Sequence, residues 1–167
     1  MMNLNAHQKM ALYEKRIAPK SITDFIETLE IDIEHILLKM EFNSDKHVCG
    51  SEDGLTNILC GRLESLDYDF VKEQVHQNGA VDLTVEHLGY KWIAEAKLGT
   101  TQQKVFEGVL QLVTRYVKRD ENAGLLVYYK KPKAALEFNK FKDYLLTEEW
   151  RNAKFAQCER VKASLSD

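Results

Sequence analysis

Two carboxylates and a lysine stand close together in the middle of the chain, within a pattern that predicts a β-hairpin. Asp82 belongs to the segment 81–87, in which apolar and polar residues alternate as they do in a half-buried strand. Leu88 and Gly89 are the expected turn, because glycine adopts positive φ angles readily. The return strand then runs over 90–98 and carries Glu95 and Lys97.

The length of this turn decides whether the three side chains meet. With two loop residues, His87 pairs with Tyr90, and counting back along both strands places Asp82 opposite Glu95. Directly opposed residues share one face of a sheet, with Cβ atoms about 5 Å apart. Lys97, two residues beyond Glu95, shares that face. A loop with an odd number of residues would put the two acids on opposite faces, so the predicted site depends on this register.

This set of groups suits the hydrolysis of a phosphodiester bond, which needs stabilised negative charge, an activated water and a neutralised leaving oxygen. Asp82 and Glu95 supply the hard oxygen ligands that Mg²⁺ prefers, and the carbonyl oxygen of Ala96 is a further candidate ligand. Lys97 can orient the attacking water or help to deprotonate it. From the hairpin alone, an ordinary surface salt bridge between Glu95 and Lys97 explains the pattern about as well.

The pattern Asp82, twelve residues, then Glu95-Ala96-Lys97 resembles the PD-(D/E)XK nuclease superfamily, which has the restriction-endonuclease-like fold. The resemblance covers about residues 50–130. It implies a Mg²⁺-dependent (endo)deoxyribonuclease, with Mn²⁺ as a substitute. Asp82, Glu95 and the Ala96 carbonyl would bind the metal, and Lys97 would position the water.

The resemblance also implies contributions from the helices on either side. An acidic residue on the preceding helix commonly joins the site in this family, and Glu52 matches it, although Asp53 is the alternative. Many members carry a Gln and a Tyr four residues apart on the following helix. Gln111 and Tyr116 are five apart here, so only Gln111 is kept as a site residue. Val81 replaces the proline that often precedes the aspartate.

The order of the predicted elements indicates an α/β fold, with a mixed central sheet of about four strands flanked by helices and an N-terminal helical extension. Helices are predicted over 3–18, 22–41, 52–66, 102–119 and 133–146, and strands over 70–76, 81–87, 90–98 and 125–129. Residues 1–42 are expected to form the extension and residues 43–167 the nuclease-like core.

The composition predicts a soluble globular protein, with 44% hydrophobic and 29% charged residues. No apolar run is long enough for a membrane span or a signal peptide. The three cysteines form no CxxC pair, which favours reduced thiols and a cytoplasmic location.

Charge is unevenly distributed along the chain, whose net charge of −3 argues against coating nucleic acid through bulk charge. Residues 21–53 hold nine acidic and two basic residues, a net charge of −7. Residues 89–133 hold nine basic and four acidic residues, a net charge of +5. A basic surface beside an acidic site suits a polyanionic substrate.

DNA is therefore the expected substrate, with RNA left open. A core of this size leaves no room for a separate sequence-reading domain, so cleavage of both strands most simply needs a homodimer, formed through the N-terminal helices or the core. The alternative is a nuclease-like fold without catalysis, serving as a nucleic-acid-binding or assembly module. The long acidic helix over 22–41 favours that alternative. Strandedness, base preference and biological pathway are not readable from the sequence.

Other groups give weaker predictions. His47 and Cys49, together with Cys60, match no zinc-binding spacing. His76 and His87 stand at strand ends and are expected at the surface. Three lysines near the end of the basic segment could bind phosphates or could simply prevent an exposed sheet edge from pairing with other chains; they are Lys130, Lys131 and Lys133. No glycine-rich phosphate loop is present, so ATP is not implied.

Overall fold

A computed structural model of the chain describes residues 5–43, 50–72, 81–116, 122–130 and 133–147. Its elements, in chain order, are α1 (Ala6–Ile17), α2 (Ile22–Phe42), α3 (Glu52–Glu64), β1 (Phe70–Lys72), β2 (Leu83–His87), β3 (Tyr90–Leu98), α4 (Gln102–Gln111), β4 (Ala123–Tyr128) and α5 (Ala134–Leu146). A π-helical segment, Leu112–Tyr116, directly follows α4. The predicted α/β fold with a mixed four-stranded sheet flanked by helices is confirmed.

The sheet has the strand order β1-β2-β3-β4. β1 runs antiparallel to β2, whereas β4 runs parallel to β3, with Glu95 beside Leu125 and Lys97 beside Val127. Parallel neighbours need a crossover connection, which α4 provides. Because β3 lies between two other strands, residues 92–97 are all buried. A strand in that position is normally apolar throughout, so its two buried charged residues, Glu95 and Lys97, require an explanation.

The turn between β2 and β3 has the two residues that the site requires. Leu88 and Gly89 have φ angles of 49° and 84°. Positive φ at both central residues is the type I′ geometry, whose twist matches that of a hairpin. The left-handed conformation costs a leucine about 1–2 kcal/mol. A carboxylate oxygen of Asp69 accepts a 2.6 Å hydrogen bond from the Leu88 N–H, which helps to hold the turn.

The chain divides into two compact units, the first made of residues 1–73 and 84–92 and the second of residues 74–83 and 93–167. In the first unit α1 packs against α2, and α2 against α3. Arg16 forms a bidentate ion pair with the buried carboxylate of Asp32, at 2.5 and 2.7 Å, and the Tyr68 hydroxyl donates to the same carboxylate at 2.8 Å. Burial, together with the nearby Asp32 charge, raises the pKa of Tyr68.

The second unit has a hydrophobic core that surrounds α4. The core joins α4 to α5 and to β4, and its buried members are Val105, Phe106, Leu110, Phe141 and Tyr144. A smaller buried cluster consists of Val81, Ile93 and Leu112. The helix α4 begins at a standard cap, where the Thr101 hydroxyl accepts from the Lys104 N–H at 3.2 Å. These contacts hold α4 against β4 and α5, and Ile93 of β3 against the π-helical segment.

One helix departs from its predicted course. The helix expected over 102–119 is α-helical only as far as Gln111 and then widens into the π-helical segment. In that segment the Thr114 hydroxyl donates to the Leu110 carbonyl oxygen at 2.5 Å. Back-bonding of this kind distorts α-helices, and periodicity alone does not reveal it.

Several predictions concern residues outside the described ranges. They are the continuation of the first strand over 73–76, the last residues of the helix over 117–119, His47, Cys49, His76, Lys131 and the C-terminal segment from 148 onward. The predicted boundary after residue 42 stays a prediction. Among the described residues, no helix is long and apolar enough to cross a membrane.

Candidate functional site

The structure places the Lys97 ammonium group against two oxygens of β3 and close to the carboxylate of Asp82, which directly precedes β2. Its Nζ atom lies 2.6 Å from Glu95 Oε1 and 2.8 Å from the carbonyl oxygen of Ala96. Asp82 Oδ2 lies 4.0 Å from the same nitrogen. The three side chains predicted to share one face therefore converge on one point.

Asp82 is held in place by the strand that it faces. It lies immediately before β2, and its Oδ2 atom accepts a 2.7 Å hydrogen bond from the Ala96 N–H. The preceding residue, Val81, is buried against Ile93 and Leu112. A carboxylate that is anchored through a backbone amide and flanked by a buried valine has little freedom to swing away from β3.

The three side chains differ in their exposure to solvent, because Glu95 and Lys97 are buried whereas Asp82 is partly exposed. Glu95 and Lys97 are only 3% and 5% exposed, and they form a buried ion pair. The Asp82 side chain is 33% exposed and so retains contact with solvent. Two carboxylates and one ammonium leave a formal charge of −1, which favours a cation at the solvent-facing side.

The oxygen atoms of Asp82, Glu95 and Ala96 are of the kind that binds a hard divalent cation. The oxygens of Glu95 and Ala96 already hold one cationic group, the ammonium, with Asp82 close by. Carboxylate and carbonyl oxygens are the ligands of Mg²⁺, which commonly binds to one or two carboxylates and completes its shell with water and substrate phosphates. In the described part of the chain, no three His, Cys, Asp or Glu side chains cluster to hold a metal ion. The protein would thus supply few ligands of its own.

The two flanking site candidates are placed as follows. Glu52 is the first residue of α3 and is half-buried, whereas Asp53 is exposed. Both belong to the first compact unit. Gln111 is the last α-helical residue of α4, and its buried Oε1 atom has no hydrogen-bond partner among the described residues. The roles of Glu52 and Gln111 stay predictions.

His87 was expected at the surface, and that expectation is wrong. The residue is only 6% exposed, and its ring packs edge-on against Tyr68. Its Nδ1 atom lies 3.4 Å from a carboxylate oxygen of Asp69. The strand end is covered by an aromatic residue from a distant part of the sequence, which a local pattern does not reveal.

Comparison of the chain with protein-family models, with curated proteins and with solved structures gave no match. The family resemblance of the hairpin pattern therefore stays a prediction. Function has to be inferred from the site itself, because a fold alone does not determine an activity.

Removal of one partner from the buried ion pair should be costly, whereas removal of both should be tolerated. We expect Glu95→Gln to lower the free energy of unfolding by about 3 kcal/mol, because the buried Lys97 ammonium loses the carboxylate that lies 2.6 Å from it. Glu95→Gln combined with Lys97→Met should recover at least about 1 kcal/mol of that loss, because an apolar group of similar length replaces the ammonium. Urea unfolding followed by circular dichroism measures both effects.

The exposed pair between Lys140 and Glu137 is a matched control, because its nitrogen and oxygen are also 2.6 Å apart. Glu137→Gln should change stability by no more than about 1 kcal/mol, as is usual for surface pairs. Equal losses for Glu95→Gln and Glu137→Gln would contradict the importance of burial.

Proposed function

We propose that the protein is a Mg²⁺-dependent nuclease of the PD-(D/E)XK type that hydrolyses phosphodiester bonds in DNA. The observation that carries the proposal is the convergence of Asp82, Glu95 and Lys97 at one point beside β3. Burying two charges in a central strand is expensive, and such groups are often found at functional sites.

The order of the elements supports the proposal. The series α3, β1, β2, β3, α4, β4 is the order expected from the resemblance to the nuclease superfamily. Glu95 and Lys97 lie in the second half of β3, toward the carboxyl ends of the two parallel strands. Ligands of open α/β sheets usually bind at that end.

The roles follow from the chemistry of each group. Asp82, Glu95 and the Ala96 carbonyl would hold Mg²⁺, with Mn²⁺ as a substitute. When bound, the ion would supply positive charge to the phosphate and its leaving oxygen. Lys97, whose ammonium group carries three N–H donors, would orient the attacking water and balance negative charge. Asp82 is the most solvent-accessible of the three and would meet the substrate side of the site.

Exposed lysines near the same sheet edge favour a polyanionic substrate. Leu98 pairs with Tyr128, so the segments that follow β3 and β4 leave the sheet together. Lys104 lies in the first turn of α4, Lys130 lies two residues after the end of β4, and Lys133 precedes α5; all three are exposed. Lysine side chains near the carboxyl ends of these two strands can contact successive phosphates of a nucleic acid.

Hydrolysis of DNA should depend on a divalent ion and on the converging residues. We expect wild-type protein with Mg²⁺ or Mn²⁺ to cleave DNA and to lose activity in EDTA. Asp82→Ala and Lys97→Ala should lower the rate by at least about 100-fold, because the first removes a metal ligand and the second removes the group that orients the attacking water. Gel assays on duplex DNA, single-stranded DNA and RNA measure the rates and identify the preferred substrate.

Lys15→Ala is a suitable control, because Lys15 is an exposed residue of α1 that pairs with Asp24 and Glu27. Its rate should match that of the wild type. Equal cleavage by all variants would point to a contaminating nuclease and would overturn the proposal. If no cleavage occurs and calorimetry detects no Mn²⁺ binding, the binding-module alternative is favoured.

Binding to DNA should weaken with salt according to the number of phosphates that the lysines contact. Lys104→Gln, Lys130→Gln and Lys133→Gln should each reduce the slope of log K against log [salt] by about 0.9 on duplex DNA, or about 0.7 on a single strand. Fluorescence anisotropy with Ca²⁺ in place of Mg²⁺ measures the slope without cleavage. Lys9→Gln, a change at an exposed residue of α1, is the control. An equal effect of Lys9→Gln on the slope would contradict the proposal that Lys104, Lys130 and Lys133 contact the DNA.

Cleavage of both strands by the proposed nuclease would most simply need a homodimer, and α1 offers a surface for it. In this helix, which the structure describes in full, no residue is buried, and Met10, Tyr13 and Ile17 form an exposed apolar stripe. Light scattering at micromolar concentration should give the mass of a dimer for the wild type. Met10→Glu with Ile17→Glu should give a monomer, because the two charges would be buried at the interface. A monomeric wild type would contradict the dimer.

A further inference from the structure

The aliphatic stem of Lys97 passes beneath α4 at a glycine. A methyl group added to Gly108 would lie 2.8 Å from Lys97 Cγ and 3.6 Å from Lys97 Cε. It would also lie 2.6 Å from Leu125 Cδ1, a terminal carbon of a residue in β4. Carbon atoms in contact are usually about 3.5–4.0 Å apart. No residue with a side chain fits at position 108 unless Lys97 or Leu125 moves.

Backbone conformation does not explain this glycine. Gly108 lies within the α-helical part of α4, where alanine is a better helix former. Among the glycines that the structure describes, only Gly89 has a positive φ angle. Gly61, within α3, has the same helical setting but nothing within 4 Å of an added methyl group. The requirement at position 108 is therefore one of space.

A shift of the aliphatic part of the Lys97 side chain also moves its ammonium group. The side chain is enclosed, so displaced stem atoms cannot move aside into water. Relief of the contact with Cγ requires a shift of several tenths of an ångström, and the buried stem passes that shift on to Nζ. The contacts of Nζ with Glu95 and Ala96 are both shorter than 3 Å, so they would be broken or distorted.

We propose that Gly108 is a positioning residue, which allows α4 to press on the stem of Lys97 and so fixes the ammonium against Glu95 and Asp82. This inference rests on the proposed function, in which Lys97 orients the attacking water. It adds to that function a requirement for a residue without a side chain on the helix that follows β3.

The test compares Gly108→Ala with Gly61→Ala, two glycine-to-alanine changes within helices. A displacement of about 1 Å at a catalytic group can cost about 100-fold in rate, so Gly108→Ala should lower kcat by about 10- to 100-fold. The ¹⁵Nζ–¹H signal of Lys97, assigned from its loss in Lys97→Arg, should shift in Gly108→Ala. Gly61→Ala should leave both the rate and the signal unchanged.

A second variant covers the case in which Gly108→Ala does not fold. Leu125→Ala removes one of the two close contacts, so Gly108→Ala with Leu125→Ala should fold while the contact with Lys97 Cγ remains. This double variant should keep the lowered kcat and the shifted signal, whereas Leu125→Ala alone should retain the wild-type signal.

The outcomes separate the two proposals. A folded Gly108 variant with the wild-type kcat, or with an unshifted Lys97 signal, overturns the positioning role while the nuclease activity stands. If the wild type hydrolyses no nucleic acid, the nuclease proposal fails, and the Nζ signal alone then decides whether Gly108 positions the ammonium. A shifted signal together with a lowered kcat supports both.

Discussion

The buried ion pair between Glu95 and Lys97 is the constraint on which the rest of the site depends. Desolvating two charges costs several kcal/mol for each, and close contact with each other and with further hydrogen-bonding groups must offset that cost. The Ala96 carbonyl supplies one such group, and Asp82 adds a second carboxylate nearby. The other buried residues of β3, within 92–97, are all apolar, so the pair stands at positions where a hydrophobic residue is normally found. Such departures from local preference are expected at functional sites.

Much of the fold was predictable because it depends on local chemistry. The alternation over 81–87 predicted β2, which begins two residues later at Leu83, and the glycine at position 89 predicted the two-residue turn to β3. The π-helical segment after α4 was not predictable, because it accompanies one hydroxyl, that of Thr114. The burial of His87 was also missed, because Tyr68 packs against it from a separate stretch of the chain.

The candidate site was predictable to a different extent. The period of two along a strand brought Asp82, Glu95 and Lys97 to one face, and the structure places them together. The hydrogen bond from the Ala96 N–H to Asp82 depends on the exact position of the residue before β2, which sequence patterns do not define. The close approach of Gly108 to Lys97 depends on how a helix docks on a sheet, which requires the three-dimensional structure.

The parallel pairing of β3 with β4 has a consequence for the order of folding. A hairpin such as the one over 83–98 closes locally within about 1–10 μs, whereas a parallel neighbour pairs more slowly, because the long crossover connection loses more entropy when it closes. Until then Lys97 remains hydrated, and its pair with Glu95 has only the small energy of a surface salt bridge. A chain emerging from the ribosome would therefore carry its acids and its lysine side by side before any of them is shielded from water. The shielded form of the site would appear late, when the segment 123–128 has been made and has taken its place in the sheet.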